Sequence, residues 1–237
     1  MKSQLFIGRN ISAETKSWLL NENIGFEEHA LIQIVLNEPD YSLFSAIKNK
    51  PKQFVVSSQW AAKWLVNYYM EIEFNNEDSI ICLSEKQREI CTEITKNIFV
   101  ANHQNANSLA QLTIEKNRGE QVVYLHGNLY LNVFGLKMKS LEYRFLQVEV
   151  YQNLQLLLKV GNTFDVYLFF SPSGVQNFYE SDNLIPRSSA IATIGSTTAK
   201  ACEKLFNREI FISEKQNELA AIKFAAGLLQ NSEIPLK

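Results

Sequence analysis

The sequence predicts an α/β protein of two similar parallel-sheet α/β domains, one of them discontinuous, joined by a two-stranded linker with an inter-domain cleft. Three observations predict it. Short apolar runs alternate with amphipathic segments, parts of the chain repeat, and the second copy lacks elements that the start of the chain can supply. A length of 237 residues is sufficient for two domains of about 100–120 residues each.

Apolar runs bounded by polar residues are typical of buried parallel strands, and the amphipathic stretches between them are typical of covering helices. The predicted strands are Gln4–Ile7, one near Ala30–Val35, Gln53–Val56, Ser79–Leu83, Gln121–Leu125, Arg144–Val150, Asp165–Phe170, Ala190–Ile194 and Glu209–Ile212. The predicted helices are Ala13–Leu20, Trp60–Tyr69, Lys86–Ile94, Ser108–Lys116, one near 129–140, Thr197–Leu205 and Gln216–Leu229.

Three pairs of segments repeat in the same order, with offsets that change only from 114 to 110 residues. They are Phe54–Ser57 with Leu168–Ser171, Ile80–Ser84 with Ala192–Ser196, and Ser108–Ala110 with Glu218–Ala220. Each match alone is weak, but their shared order predicts two copies of one β-α architecture.

The two copies differ in completeness, because the second ends without the closing β-α-β that residues 1–35 can provide. We therefore expect a discontinuous domain of residues 1–34 plus 154–237 and an inserted domain of residues 38–147. The linkers would lie near 35–37 and 148–153. The chain would then pass between the two domains twice, which predicts a hinge and a cleft. Ligands in open α/β sheets bind outside the carboxyl ends of the strands.

Composition excludes several classes of protein. Lys and Arg number 23 against 25 Asp and Glu, for a net charge of −2, which disfavours a sequence-independent nucleic-acid binder. The first apolar run is too short for a signal peptide, and no stretch approaches the roughly 20 apolar residues of a membrane span. Three cysteines without a CxxC motif predict neither disulfides nor a metal site. A cytoplasmic protein is expected, with no nucleic-acid or membrane partner.

Two turns rich in hydroxyl groups follow predicted strands of neighbouring β-α units. The first contains Ser171, Ser173 and Gly174, and the second runs from Gly195 through Ser196, Thr197 and Thr198. Each turn fits either an ordinary helix cap or an anion-binding site at a helix N-terminus. Their repetition predicts a shared oxyanion site, although the spacing of a P-loop is absent.

Tyr151 follows an apolar strand where the second linker should run. It could either present its phenol to the cleft as a proton donor or pack the domain junction. His29, His103 and His126 show no metal-ligand spacing, and a structural role is the interpretation for His126.

These residues resemble the uroporphyrinogen-III synthase family. The resemblance is carried by Phe169–Val175, Ala192–Ala199, Glu218–Ala221, Val148–Gln152, Ala106–Ala110 and His126–Leu129. It implies cyclisation of the linear tetrapyrrole hydroxymethylbilane to uroporphyrinogen III, with loss of water and inversion of ring D, as a step of haem biosynthesis. It also implies that no metal or organic cofactor is used. We expect a monomer that receives its substrate from the upstream synthase.

The resemblance assigns the proton-donor role to Tyr151. The substrate-binding residues that it implies are Arg9, Ser57, Ser58, Asn128, Ser171, Ser173, Gly174, Gly195, Ser196, Thr197 and Thr198.

The sequence departs from the family pattern at several places, two of them in the expected inserted domain. The segment Leu83–Lys86 stands where a Gly and a Thr are usual, and Trp60 occupies the place that Gly174 holds in the second copy. These departures leave open a non-catalytic two-lobed protein that binds tetrapyrroles or small anions. An unrelated sugar- or nucleotide-handling enzyme is a third possibility, disfavoured because neither a P-loop nor GxGxxG is present.

Overall fold

The computed structural model describes residues 4–130 and 132–230. Residues 1–3 lie outside the described residues, and so do position 131 of the helix predicted near 129–140 and the end of the predicted segment 154–237. Residues 1–3 are the start of the N-terminal segment, for which the sequence predicts no signal peptide.

Strands and helices alternate along the chain. The strands are β1 (Leu5–Ile7), β2 (Phe26–Glu28), β3 (Ile32–Leu36), β4 (Lys52–Val56), β5 (Ser79–Cys82), β6 (Ile98–Val100), β7 (Gln121–Gly127), β8 (Leu146–Gln155), β9 (Val166–Phe169), β10 (Ala190–Thr193) and β11 (Phe211–Ile212). The helices are α1 (Ala13–Asn21), α2 (Tyr41–Ile47), α3 (Gln59–Tyr68), α4 (Glu85–Cys91), α5 (Ala106–Lys116), α6 (Val133–Ser140), α7 (Pro172–Glu180), α8 (Ser196–Phe206) and α9 (Glu218–Gln230).

The chain forms two compact units. The split unit contains the described residues up to Gln33 and those from Leu154 onward, and the inserted unit contains Ile34–Asn153. Each unit has its own sheet and its own buried core. The predicted α/β fold class, with two mainly parallel sheets, is confirmed.

The split unit is built on a five-stranded sheet in the order β11-β10-β9-β1-β2, with parallel pairing throughout. Alternate side chains of β1 enter two different cores: Leu5 and Ile7 pack on one face, and Phe6 packs on the other. Helices cover both faces of such a sheet, which explains why β1 is apolar at every position.

The inserted unit is built on a six-stranded sheet in the order β3-β8-β7-β4-β5-β6. Its strands β8-β7-β4-β5-β6 correspond one to one with β2-β1-β9-β10-β11 of the split unit. The shared order confirms that the repeat in the sequence reflects two copies of one architecture.

A strand does lie near the predicted range Ala30–Val35, but its assignment to the sheet of the split unit is wrong. The edge strand is β2, whereas β3 pairs with β8 in the other sheet. Two glutamates hide β2 from a hydrophobicity pattern. Glu28 is satisfied by the backbone N–H of Ile11 at 2.6 Å and by Lys16 Nζ at 2.7 Å, so charged residues are tolerated in this strand.

The sequence pattern also missed α2 and β6, which are short. The helix α2 is capped by Asp40, whose carboxylate accepts hydrogen bonds from the backbone N–H groups of Ser42 and Leu43, each at 3.1 Å. It buries Phe44 and Ile47. Two buried apolar residues in an element of seven are too few to produce the hydrophobic periodicity by which a helix is predicted.

Candidate functional site

The inserted unit contains an open cavity of about 420 Å³ at the carboxyl edge of its sheet. The strands β4, β7 and β8 run parallel, so the residues that follow or end them converge there. Three of the predicted site residues, Ser57, Ser58 and Tyr151, line this cavity.

Tyr151 reaches the cavity because of an irregularity in the pairing of β7 with β8. His126 pairs with Glu149, but the next residue, Gly127, pairs with Tyr151, so β8 contains one extra residue at this point. A β-bulge of this kind re-aims the side chain that follows it. The tyrosine ring is half-buried and occupies the space where a side chain at position 127 would lie.

A hydrogen bond joins Ser57 to Tyr124 within the same cavity. The Ser57 Oγ and the Tyr124 Oη lie 3.1 Å apart, and either can donate. Burial raises the pKa of the Tyr124 phenol, and the hydrogen bond from Ser57 opposes that rise only in part. Tyr124 therefore stays a neutral phenol near neutral pH, able both to donate and to accept a hydrogen bond.

Ser58 and Asn128 are engaged with the protein itself. The Ser58 Oγ accepts the backbone N–H of Ala61 at 3.1 Å and so caps α3. The exposed Asn128 accepts the backbone N–H of Asn153 through its Oδ1 at 2.9 Å, and its side chain does not line the cavity. Its position ties the end of β7 to β8.

His126 is the cavity residue that the sequence interpretation set aside. Its ring is buried and lines the cavity, close to Tyr124 and Tyr130. The available signal was the alternation along β7, in which Val123 and Leu125 enter one core while Tyr124 faces the other. Alternation places His126 on the face of Tyr124.

The divergent segment Leu83–Lys86 forms the turn after β5 and the start of α4. Leu83 lines the cavity, and Ser84 begins the helix without capping its backbone. The Ser84 Oγ instead donates to the Gln87 Oε1. This turn offers the cavity an apolar side chain where the family pattern has small and hydroxyl residues.

The split unit also places predicted residues at one edge of its sheet. The strands β1, β9 and β10 are parallel, so the segments after them meet at their carboxyl ends. After β9, the Ser171 Oγ accepts the backbone N–H of Gly174 at 3.1 Å and lies 3.3 Å from the Ser173 Oγ. Pro172 is the first helical residue of α7, where its missing N–H costs nothing.

The second hydroxyl turn provides no side-chain cap for the helix that follows it. Gly195 is the residue before α8, and no side chain caps this helix. Ser196 and Thr197 are exposed, whereas Thr198 is buried. The uncapped start of α8, flanked by two exposed hydroxyls, presents backbone N–H groups and positive helix-dipole charge together.

Arg9 lies after β1 at the same edge. Its guanidinium stacks on Phe170, with Cζ 5.3 Å from the ring centroid, and its Nε lies 3.7 Å from Glu218 Oε2. The side chain is exposed, and its neighbour Phe170 directly precedes Ser171. The Arg9 cation, which is paired with Glu218, therefore lies against the residue that precedes the N-cap of α7.

No group of three or more His, Cys, Asp or Glu side chains that could hold a metal ion occurs among residues 4–130 and 132–230. In the same part of the chain, no helix is long and apolar enough to cross a membrane.

Both units thus gather hydroxyls, helix starts and a few polar side chains at the carboxyl ends of parallel strands. This is the arrangement of an α/β protein that binds a small ligand at those ends. A family model described as uroporphyrinogen-III synthase HemD matches residues 25–223. The chain belongs to the uroporphyrinogen-III synthase family.

Solved structures agree with that assignment at the level of the fold. The uroporphyrinogen-III synthetase of Helicobacter pylori is 13% identical with a TM-score of 0.66, and the match covers 96% of this chain and 100% of that one. A mutant uroporphyrinogen III synthase from the extremely thermophilic bacterium Thermus thermophilus is 12% identical with a TM-score of 0.67, covering 98% and 100%. No curated protein matches the chain by sequence.

Proposed function

We propose that this protein is a cyclising enzyme that converts hydroxymethylbilane to uroporphyrinogen III, with loss of water and inversion of ring D. The family membership supports this activity. The observation that carries it furthest is the position of Tyr151, whose phenol lines a cavity at the carboxyl edge of the inserted sheet.

Tyr151 is the proposed proton donor. Loss of the terminal hydroxyl of the substrate requires one proton, which the phenol transfers to the leaving oxygen as the carbon–oxygen bond breaks and water departs. The resulting azafulvene cation is attacked by the substituted α-carbon of the last pyrrole ring, which gives a spiro-pyrrolenine intermediate. The original bond between that carbon and its methylene bridge then breaks, and the bridge bonds to the free α-carbon of the same ring, which is thereby inverted. That α-carbon loses one proton, and the Tyr151 phenolate can accept it.

Substrate and product differ only by one molecule of water, so the reaction is redox-neutral. Proton transfer and positioning are sufficient for it, and we propose that the enzyme uses no cofactor. Because the linear substrate closes by itself to the uninverted isomer, the main task of the protein is to select a conformation.

The split unit is proposed to hold carboxylate arms of the substrate. Arg9 supplies a cation, and the start of α8 with Ser196 and Thr197 supplies N–H and hydroxyl donors. Ser171, Ser173 and Gly174 form the neighbouring turn. These groups bind anions without a strongly basic surface, which is consistent with a net charge of −2. We further propose that the protein acts in the cytoplasm, as a monomer that takes its substrate from the upstream synthase.

The decisive experiment supplies fresh hydroxymethylbilane from its synthase and separates the isomers of uroporphyrin after oxidation. Isomer III in excess over the protein-free control is expected. Formation of isomer I alone by folded protein would refute the activity, and tight product binding without turnover would then identify a binding protein.

The role of Tyr151 is tested with Tyr151→Phe, which removes the hydroxyl and keeps the ring. Removal of a general acid is expected to lower the rate of isomer III formation by about 100-fold or more, with product affinity changed much less. Tyr179→Phe alters an exposed tyrosine of α7 and serves as the matched control. An unchanged rate in Tyr151→Phe would exclude the proton-donor role.

A further inference from the structure

We infer that the cavity of the inserted unit holds a pyrrole ring of the substrate, and that the Nε2 of His126 accepts the hydrogen bond of that ring's N–H. This inference rests on the proposed function and assigns a substrate group to part of its site. It gives His126 a binding role in place of the structural role expected from the sequence.

The orientation of His126 leaves one ring nitrogen available. Its Nδ1 lies 3.0 Å from the carbonyl oxygen of Gly127. A carbonyl oxygen can only accept, so Nδ1 must carry the hydrogen, and in the neutral ring Nε2 then carries a lone pair. No described residue forms a hydrogen bond with Nε2, although the residue is only 8% exposed. An acceptor that opens onto a cavity takes its donor from a ligand or from water.

Aromatic rings line the same cavity. The rings of His126 and Tyr130 lie 3.9 Å apart between centroids, and those of Tyr124 and Phe134 lie 4.4 Å apart. Tyr151 contributes a further ring to the lining. Flat aromatic walls fit a flat heteroaromatic ligand, since offset or tilted ring contacts are favourable.

The charges and hydrogen bonds of the cavity disfavour a carboxylate arm in the same place. Among the described lining residues none is Lys, Arg, Asp or Glu. Two of the helix starts here are capped by side chains, α3 by Ser58 and α5 by Asn105, whereas the starts of α4 and α6 have no side-chain cap. The hydroxyl of Ser57 is engaged with Tyr124. A neutral donor such as a pyrrole N–H matches the Nε2 acceptor, whereas an anion would face its lone pair.

The test is a binding experiment that needs no turnover. The probes are 3,4-dimethylpyrrole and its N-methyl derivative, which has the same ring but no N–H, titrated into the full chain by NMR. One hydrogen bond to His126 predicts that the N–H probe binds about fivefold more tightly than the N-methyl probe. In the wild-type protein labelled with ¹⁵N-histidine, only the N–H probe is expected to shift the Nε2 resonance of His126.

Variants identify the acceptor. His126→Phe is expected to abolish the preference, His126→Gln to restore part of it through its amide oxygen, and His103→Phe, which alters an exposed histidine, to leave it unchanged. Equal affinities of the two probes for the wild-type protein, or a preference that survives in His126→Phe, would overturn the inference. If His126→Phe does not fold, the wild-type titration alone decides.

Failure here is distinguishable from failure of the proposed function. Isomer III production without discrimination between the probes would refute the pyrrole site and leave the activity intact. Discrimination between the probes with only isomer I formed would refute the activity.

Discussion

Gly127 gives the ring of Tyr151 the space that it occupies. A Cβ added at Gly127 would lie 2.9 Å from the Tyr151 Cδ2, and closer still to Cε2 and Cζ. The two residues pair directly across β7 and β8, immediately after the bulge. The absence of a side chain at one residue therefore decides where the phenol of the other lies.

Gly127→Ala is expected to displace the Tyr151 ring. The variant should lower the free energy of unfolding by about 1–3 kcal/mol, as overpacking does, and should slow isomer III formation in the direction of Tyr151→Phe. Urea unfolding and the isomer assay measure the two effects. Gly161→Ala is the control, because a Cβ there meets no atom within 4 Å. Full activity in Gly127→Ala would show that the position of the ring is not critical.

Tyr124 is expected to make stability depend on pH in the alkaline range. Burial raises its pKa above the ordinary 10.0, so folding favours the neutral phenol. The contribution is complete below pH 10.0 and is lost as pH rises through the pKa of the folded state. Above pH 10.0, the wild-type protein should therefore lose stability more steeply than Tyr124→Phe. Thermal unfolding at a series of pH values tests this, with Tyr179→Phe as control; parallel curves would contradict it.

Lys52 and Asp78 form a fully buried ion pair in the inserted unit, with Nζ 3.2 Å from Oδ2. The Asp78 carboxylate also accepts the backbone N–H of Lys52 at 2.7 Å and that of Asn75 at 3.0 Å. Asp78→Ala leaves the buried Lys52 ammonium without a counter-charge and should destabilise the protein by about 3–5 kcal/mol.

The double variant Lys52→Met/Asp78→Leu should recover a large part of that loss, because no charge is then left buried. Glu85→Ala breaks the exposed pair with Arg88 and should cost less than about 1 kcal/mol. Urea unfolding compares the three. If the double variant were no more stable than Asp78→Ala, the unpaired charge would not be the cause of the loss.

Glu218 joins the starts of α1 and α9. Its Oε1 accepts the backbone N–H of Ser12 at 2.8 Å and the hydroxyl of Thr15 at 2.9 Å. Partial burial would raise its pKa, but these hydrogen bonds and Arg9 outweigh burial, and the pKa lies below the ordinary 4.5.

A depressed pKa means that the contribution of Glu218 to stability is present above pH 4.5 and is lost as pH falls through the folded-state pKa. Glu218→Gln should therefore lower stability by about 1–2 kcal/mol near neutral pH and by progressively less below pH 4.5. The exposed Glu89→Gln is the control for denaturation measured across this range. A pH-independent difference would rule out the charge as the cause.

The sequence was sufficient for the β-α alternation and for the repeat. The runs near Phe54 and Leu168 are apolar at every position, because both faces of their sheets are covered. The hydrophobicity pattern of the sequence was misleading at β2, because Glu27 and Glu28 interrupt the apolar run by which a strand is predicted. The family resemblance indicated Tyr151 and the hydroxyl turns, since those short segments carry their own local pattern of strand, turn and helix start.

His126 was not chosen by that route, because a single histidine at a strand end has no distinctive spacing and alternation along β7 gives only the face on which it lies. Its role depends on Tyr130, on the carbonyl of Gly127 and on the register of β8, and register is a property of two strands together. Local chemistry therefore determined the strands, the helix starts and the candidate tyrosine. Only the tertiary structure decided which side chains share the cavity, because strand pairing and one extra residue in β8 bring together groups far apart in the chain.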